Sequence, residues 1–419
     1  MRRVLCLSLA VALSCTLLLA ATVLAQPSGF RERLGWMIPY EVSDSGNAAS
    51  RGPDLEVNVD GNLHLIWMDD KVSQPDLYYT KSTNQGNDWS ALENLSTTPA
   101  SYQGALALGA SYVVHVCWWE QLLAPHELLY ARRLGGMWGG QVTVVVTDSE
   151  IQEPSIVEGG DYIHLIWSNK LSQNFDLFYT RRGRTGGAWD TPTCVTDTAS
   201  TSLYTRMATD GNGNLHAVWQ ENSSPNEILY ISGTVAAEGT AWSDAVTLTE
   251  GLATAATSPD IVLGEDDMVH VVLGADTAGQ LHTQDLYYVS FPISSTEDIS
   301  PTIIPGSRVL VSQQLPTFAS PSIALAGSDE IHVVWNGIRD DDLWDRIYYA
   351  VSHDGGGSWS QAMPISPNDA WPDGFAAVDT DGTLVHVAWQ QKELGNDNDI
   401  YYAHSLPIVR HFGLGLKEY

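Results

Sequence analysis

From about residue 50 onward, short apolar runs alternate with polar, glycine-rich breaks, and the runs repeat as a set. The most regular run is a His-x-x-hydrophobic step. It occurs at His64–Trp67, His115–Trp118, His164–Trp167, His216–Trp219, His270–Leu273, His332–Trp335 and His386–Trp389. Successive histidines lie 51, 49, 52, 54, 62 and 54 residues apart. Each step follows a turn signal such as Asp60-Gly61-Asn62 or Asp381-Gly382, and each turn follows a short apolar run such as Ser322–Leu325. These are hairpin signals. A variable polar loop leads to a third run: Asp76–Tyr79, Glu127–Tyr130, Asp176–Tyr179, Glu227–Tyr230, Asp285–Tyr288, Arg346–Tyr349 and Asp399–Tyr402. In most units a Gly-rich turn and a tryptophan then open a fourth run; the fifth unit lacks this tryptophan.

The repeat shows no helical period. Runs such as Leu63–Trp67 are apolar on both parities, as expected of strands covered on both faces. Four short strands per unit, repeated at a period near fifty, predict an all-β fold: a seven-bladed β-propeller of four-stranded blades. The expected blades are approximately 54–97, 100–148, 152–198, 203–249, 257–312, 319–367 and 373–405 within a single domain spanning 26–405. The seventh unit stops after Tyr402 without its turn and tryptophan, and Gly35–Val42 carries the missing pattern. The N-terminal strand, 35–43, is therefore expected to complete blade seven, which removes two exposed sheet edges. Residues 406–419 remain as a tail.

The first 25 residues combine Arg2 and Arg3, an apolar stretch from Leu5 to Leu19, and small residues before Gln26. This is the pattern of a signal peptide, and it predicts a secreted or cell-surface protein with no membrane span once the leader is removed. The chain carries 20 Lys+Arg against 50 Asp+Glu, a formal net charge of −30. Such a balance argues against nucleic acid as a partner, since phosphates would be repelled. Beyond the leader the cysteines are Cys117 and Cys194. Cys117 shares a repeat position with Ile66, Ile166, Val218, Val272, Val334 and Ala388, which marks it as a core residue rather than half of a disulfide.

The stretch Ser352–Trp359 reads Ser-x-Asp-x-Gly-x-x-Trp, through Ser352, Asp354, Gly356 and Trp359. Ser82, Asn84, Gly86 and Trp89 repeat it with Asn for Asp. These turns resemble the Asp-box, or bacterial neuraminidase repeat, of the sialidase superfamily. The resemblance implies a propeller in which the boxes are structural turns away from the site. It also raises a sialidase-type activity, which in the family uses three arginines on the substrate carboxylate, a Tyr–Glu nucleophile pair and an Asp acid/base. The family's Phe/Tyr-Arg-Ile-Pro motif has its nearest match at Trp36-Met37-Ile38-Pro39, with Met in place of Arg.

Strand direction places the tight turns on one face. The longer loops lie on the other face, where binding usually resides. Twelve of the fifteen tryptophans belong to the repeat. The other three, Trp119, Trp344 and Trp371, map to the loop face, where indoles stack on the apolar faces of sugar rings. With Arg339, Asp342 and Arg51 they form the expected ligand-binding set for a glycan. A catalytic alternative uses Tyr204 or Tyr102 as nucleophile, Glu153 as its base, and Arg51, Arg206 and Arg339 on a carboxylate. The seven repeat histidines are too dispersed to share a metal and are expected to pair strands. Acidic loops at Asp340–Asp342 and Asn396–Asp399 could hold calcium. The leading expectation is a lectin-like or surface-recognition propeller whose partner is a glycan or an extracellular protein. The alternatives are an exo-sialidase-type glycoside hydrolase and a protein-interaction scaffold without a small ligand.

Overall fold

The computed structural model describes residues 35–406 apart from 44–47, 72–73, 97–99, 122–124, 253, 277–282, 297–298, 311–319, 340–344, 368–370 and 393–397. The expected signal peptide, residues 1–25, and the tail beyond 406 lie outside the described residues. Seven antiparallel sheets follow one another along the chain, each built outward from an inner strand. Blade one runs Ser50–Val57, Leu63–Asp69, Asp76–Ser82 and Glu93–Asn94. Blade seven runs Trp371–Thr380, Val385–Lys392 and Asn398–His404, and its outermost strand is Tyr40–Glu41 from the N-terminus. Tyr40 pairs with Tyr402 and Glu41 with Tyr401, so the ring closes as the sequence pattern predicts. No helix among the described residues is long and apolar enough to cross a membrane.

The repeat histidines join strand two to strand three. In all seven blades Nδ1 lies within hydrogen-bonding distance of a strand-three tyrosine hydroxyl. His64–Tyr79, His115–Tyr130 and His332–Tyr349 are each 2.8 Å apart, and His164–Tyr179 and His386–Tyr402 are each 2.7 Å apart. His216–Tyr230 and His270–Tyr288 are at 2.6 Å. Burial disfavours the imidazolium, holding His64, His164 and His386 down to about 4 and His332 to about 3. These rings are neutral at pH 7.

The same tyrosines join each blade to the next through an edge-to-face aromatic contact. Tyr79 meets Trp138, Tyr130 meets Trp189, Tyr179 meets Trp242, Tyr288 meets Trp359 and Tyr402 meets Trp89, at ring centroid distances of 4.9–5.3 Å. Trp36 supplies the contact to Tyr349 at 5.1 Å, confirming the N-terminal segment as blade seven's missing piece. The fifth blade has no tryptophan here; Phe291, at the end of its third strand, meets Tyr230 at 4.9 Å instead. The tryptophans that end the histidine step (Trp67, Trp118, Trp167, Trp219, Trp335 and Trp389) are fully buried between sheets. Cys117 is buried as expected, and both it and Cys194 are free thiols.

Tight turns lie between strands three and four. Ser352 Oγ donates to Asp354 Oδ1 at 2.9 Å, and Gly356 N donates to Ser352 Oγ at 2.9 Å. The Ser82–Asn84–Gly86 turn has the same bonds at the same distances. Gly86 and Gly356 have φ of +82° and +90°, and a Cβ at either would lie 2.2 Å from the tyrosine of the preceding blade, Tyr402 or Tyr288. Only glycine satisfies both conditions.

Candidate functional site at the channel mouth

Inner strands line the ring axis, and their loop-face ends share an irregularity. In six blades the pairing with strand two slips, between Arg51 and Asp54, Tyr102 and Ala105, Gln152 and Ser155, Leu203 and Arg206, Thr257 and Asp260, and around Gly374. Each slip carries a left-handed residue, Gly52, Gln103, Glu153, Tyr204, Ser258 or Phe375, with φ between +39° and +59°, and blade seven adds Gly374 at +111°. Five of the six are not glycine, an unusual backbone choice whose local cost the surrounding structure must sustain. A bulge leaves an amide without its ladder partner, and the preceding blade supplies one. Gln390 Oε1 accepts from Gly52 N at 3.4 Å, Gln103 Oε1 from Glu153 N at 3.0 Å, and Gln220 Oε1 from Ser258 N at 3.3 Å. The Glu153 carboxylate accepts from Tyr204 N.

Two residues deeper, the inner-strand side chains stitch the ring. Asp54, Ser155, Asp260 and Ser322 accept from Leu106, Met207, Ile323 and Val378 amides at 2.7, 3.1, 3.0 and 3.4 Å. Arg206 holds this ring position in blade four, opposite Val218. At the next level Asp379 Oδ2 accepts from Val57 N at 2.7 Å, across the seam between blades seven and one.

The channel therefore gathers carboxyls around one guanidinium. Burial raises Asp54 to about 6, opposed by the Leu106 amide and Arg206. It raises Glu153 to about 7, opposed by the Tyr204 amide and Arg206. Asp379 rises to about 7, again chiefly through burial. Glu56 is raised by burial and by the like charges of Asp379 and Asp54. Burial thus holds these carboxyls above the ordinary carboxylate range, and a carboxyl that keeps its proton donates as well as accepts hydrogen bonds.

Of the residues singled out in sequence, Glu153, Tyr204 and Arg206 come together at the mouth. Arg51 and Arg339 do not join them. Arg51 is half exposed and pairs with Asp70. Arg339 donates to Ala362 O at 3.2 Å and lies 5.6 Å from the Tyr348 ring, within blade six. Each of these two arginines thus has a partner on its own blade. Tyr204 is pushed up to about 12 by burial and by Glu153, the reverse of an activated nucleophile. Trp119 does not offer an open face. It is 7 % exposed, stacks on Tyr102 at 4.8 Å and donates to Gln103 Oε1 at 3.2 Å, supporting the mouth from behind. Tyr102 is held in that stack. Trp344 and Asp342 lie outside the described residues, as do the Asp340–Asp342 loop and Asn396 and Asp397. Trp371 begins blade seven's inner strand. Among the described residues no group of three or more His, Cys, Asp or Glu side chains is placed to hold a metal.

Sequence reasoning missed Phe375. It is 54 % exposed at the left-handed position of blade seven, an apolar ring on the channel mouth. Its only sequence signal is its place two residues before the position that pairs with Ala388, legible once strand register is known. A separate polar pocket of 290 Å³ lies between blades two and three, where Lys170 Nζ is already paired with Glu150 at 2.9 Å. Its walls lack the carbocyclic aromatic surface found at the mouth.

No protein-family model and no curated protein matches this chain. Solved structures do resemble it. A polysaccharide lyase, Uly1, aligns over 89 % of this chain and 100 % of its own with a TM-score of 0.60 at 9 % identity. A ulvan lyase from a new polysaccharide lyase family aligns over 86 % and 95 % with a TM-score of 0.56 at 11 % identity. The endosialidase of phage phi92 aligns over 92 % and 71 % with a TM-score of 0.52 at 10 % identity. At these identities the likeness is one of fold.

Proposed function

We propose that this chain is an exported glycan-binding propeller that takes carbohydrate at the loop-face mouth of its channel. The observation that carries the reading is the ring of left-handed inner-strand residues, which sets the exposed Phe375 around the same opening as Glu153, Tyr204 and Arg206. A sugar presents apolar C–H faces and a rim of hydroxyls; an aromatic ring, protonatable carboxyls and a guanidinium answer both. Backbone strain kept at one level of the ring is a mark of a working surface. The glycan-active names among proteins of similar fold agree with this reading, although fold alone does not assign function.

Sialidase-type hydrolysis is the second reading, raised by Glu153 and Tyr204 adjoining at the mouth, where the bond runs from the Tyr204 backbone amide and not from its phenol. The separate partners of Arg51 and Arg339 and the raised phenol weigh against it. The test is a glycan-array screen with and without calcium, beside hydrolysis of a fluorogenic sialoside. Binding that is lost in Phe375→Ala and Glu153→Gln, without turnover, supports recognition. Turnover that disappears in Tyr204→Phe overturns it in favour of the hydrolase, and silence in both assays leaves the protein-interaction scaffold.

A further inference from the structure

The turn between strands three and four has two versions. In blade six the Asp354 carboxylate is its centre. Besides Ser352 Oγ, it accepts from Ser358 N at 2.7 Å and Ser358 Oγ at 2.6 Å. In blade one Asn84 Oδ1 accepts from Asp88 N at 2.9 Å. Counted from the histidine-paired tyrosine, the serine, the acceptor and the tryptophan occupy fixed places. Counted from Tyr179 in blade three, the same places hold Arg182, Arg184 and Trp189. By count two cations stand for the hydroxyl and the carboxylate, and the turn itself closes one residue earlier, through Gly186 N to Gly183 O at 3.0 Å rather than the blade-six bond of Gly357 N to Asp354 O at 3.3 Å.

Arg182 is 9 % exposed and has no hydrogen-bond acceptor or carboxylate among the described residues; its Nε is buried and unpartnered. Its guanidinium lies 5.3 Å from the Tyr130 ring and 5.5 Å from the Trp189 ring. Those faces hold it in place without supplying an anion. Its neighbour Arg181 differs, bonding Asp190 at 3.1 Å and the carbonyls of Ala236, Ala237 and Gly239. A buried cation without a partner is costly. Arg182 reaches the turn, with Nη2 3.8 Å from where a Gly186 Cβ would stand, and the turn is open, since a Cβ at Gly187 would meet nothing within 4 Å. Arg132 Nη1 donates to Arg184 O at 3.2 Å, adding a third guanidinium. Among the described residues the Arg184 side chain pairs with the exposed Asp161, at 3.6 Å, a weak surface pair. The charge is local. The two strand-three positions before the turn hold Lys81 in blade one, Arg132 and Arg133 in blade two, and Arg181 and Arg182 in blade three. In blades four to six they hold Ser232-Gly233, Ser290-Phe291 and Val351-Ser352.

We propose that the blade-three turn is an oxyanion site, where a sulfate, phosphate or carboxylate group meets Arg182 and Arg184 over the open turn. Both bind it from their side chains. Guanidinium groups suit such oxyanions because their planar N–H forks match the oxygen pairs. The site lies on the turn face, opposite the channel mouth, and does not depend on what the mouth binds.

Equilibrium dialysis of the full chain against labelled inorganic sulfate, at constant ionic strength in chloride, tests the proposal. The expected result is saturable binding of about one sulfate per chain, weakened about tenfold or more in Arg184→Ala. The triple variant Arg182→Ser, Arg184→Asp, Ala188→Ser carries the blade-six residues at these three positions and is expected to fold and to lose sulfate binding, because both guanidinium groups are gone and a carboxylate stands in their place. No saturable binding in the wild type, or binding unchanged in Arg184→Ala, overturns the proposal. Arg184 is exposed, so that arm holds even where the triple variant fails to fold. Competition by a sulfated oligosaccharide, but not by its unsulfated form, identifies a glycan-borne group as the source; competition by neither leaves the free ion as the ligand.

Discussion

His332 Nδ1 lies 2.8 Å from the Tyr349 hydroxyl, and Tyr349 in turn meets the ring of Trp36 at 5.1 Å. One tyrosine thus ties two strands of blade six to the N-terminal segment that closes blade seven. Tyr349→Phe leaves a buried imidazole nitrogen without its partner, at an expected cost of roughly 1–3 kcal/mol in urea unfolding. The double variant with His332→Phe should cost less than the sum of the two single changes, because it removes both polar partners.

The histidines also set an acid limit. Their folded values are lowered by burial, to about 4 for His64, His164 and His386. A group depressed in this way is neutral in the fold and protonates more readily once unfolded. Its contribution is present above about pH 6.5 and is lost as pH falls toward the folded value. Urea midpoints for His64→Asn should therefore fall less steeply across that window than those of the wild type.

The channel carboxyls work in the opposite direction. Glu56 and Asp379 are raised, so the folded state keeps their protons longer than the unfolded chain does. Stability from this source is present at low pH and is lost as pH rises from about 4 toward 7. Glu56→Gln should raise the melting temperature near pH 8, with the advantage vanishing near pH 4.5, as read by calorimetry. An equal gain at both pH values would show that repulsion by Asp379 is not the cause.

Two neighbouring glycines separate backbone strain from steric clash. Gly355 has φ +67° with open space for a Cβ, whereas a Cβ at Gly356 would lie 2.2 Å from Tyr288. Gly355→Ala should cost about 1–2 kcal/mol, the penalty of a left-handed alanine. Gly356→Ala should cost more, since it also displaces the tyrosine that pairs with His270. Comparable urea midpoints for the two variants would count against that packing.

Phe375 joins strain to exposure. Replacing a left-handed, half-exposed phenylalanine by glycine relieves the backbone while sacrificing little burial. Phe375→Gly should therefore gain about 1 kcal/mol of stability. It should also weaken glycan binding at the mouth, measured by calorimetry and by the array.

What the sequence determined by itself was the architecture. The histidine step, the aromatic third strand and the split seventh unit specify local pairing and local burial, and seven copies leave a closed ring as the solution that covers every blade. The Gly35–Val42 pattern was legible because the outer-strand tryptophan has a fixed chemical task, to meet the tyrosine of the blade before. Phe291 was not, because it performs that task from another strand. At the mouth, Glu153, Tyr204 and Arg206 could be named from their place on the inner strands, but which of them converge depends on where each bulge slips the register. That slip turned Phe375 outward and held Trp119 behind the mouth. The tertiary structure alone decided which partners Arg51 and Arg339 take, Asp70 and the Ala362 carbonyl, since side-chain direction follows from strand pairing and twist, which no single unit of the repeat encodes.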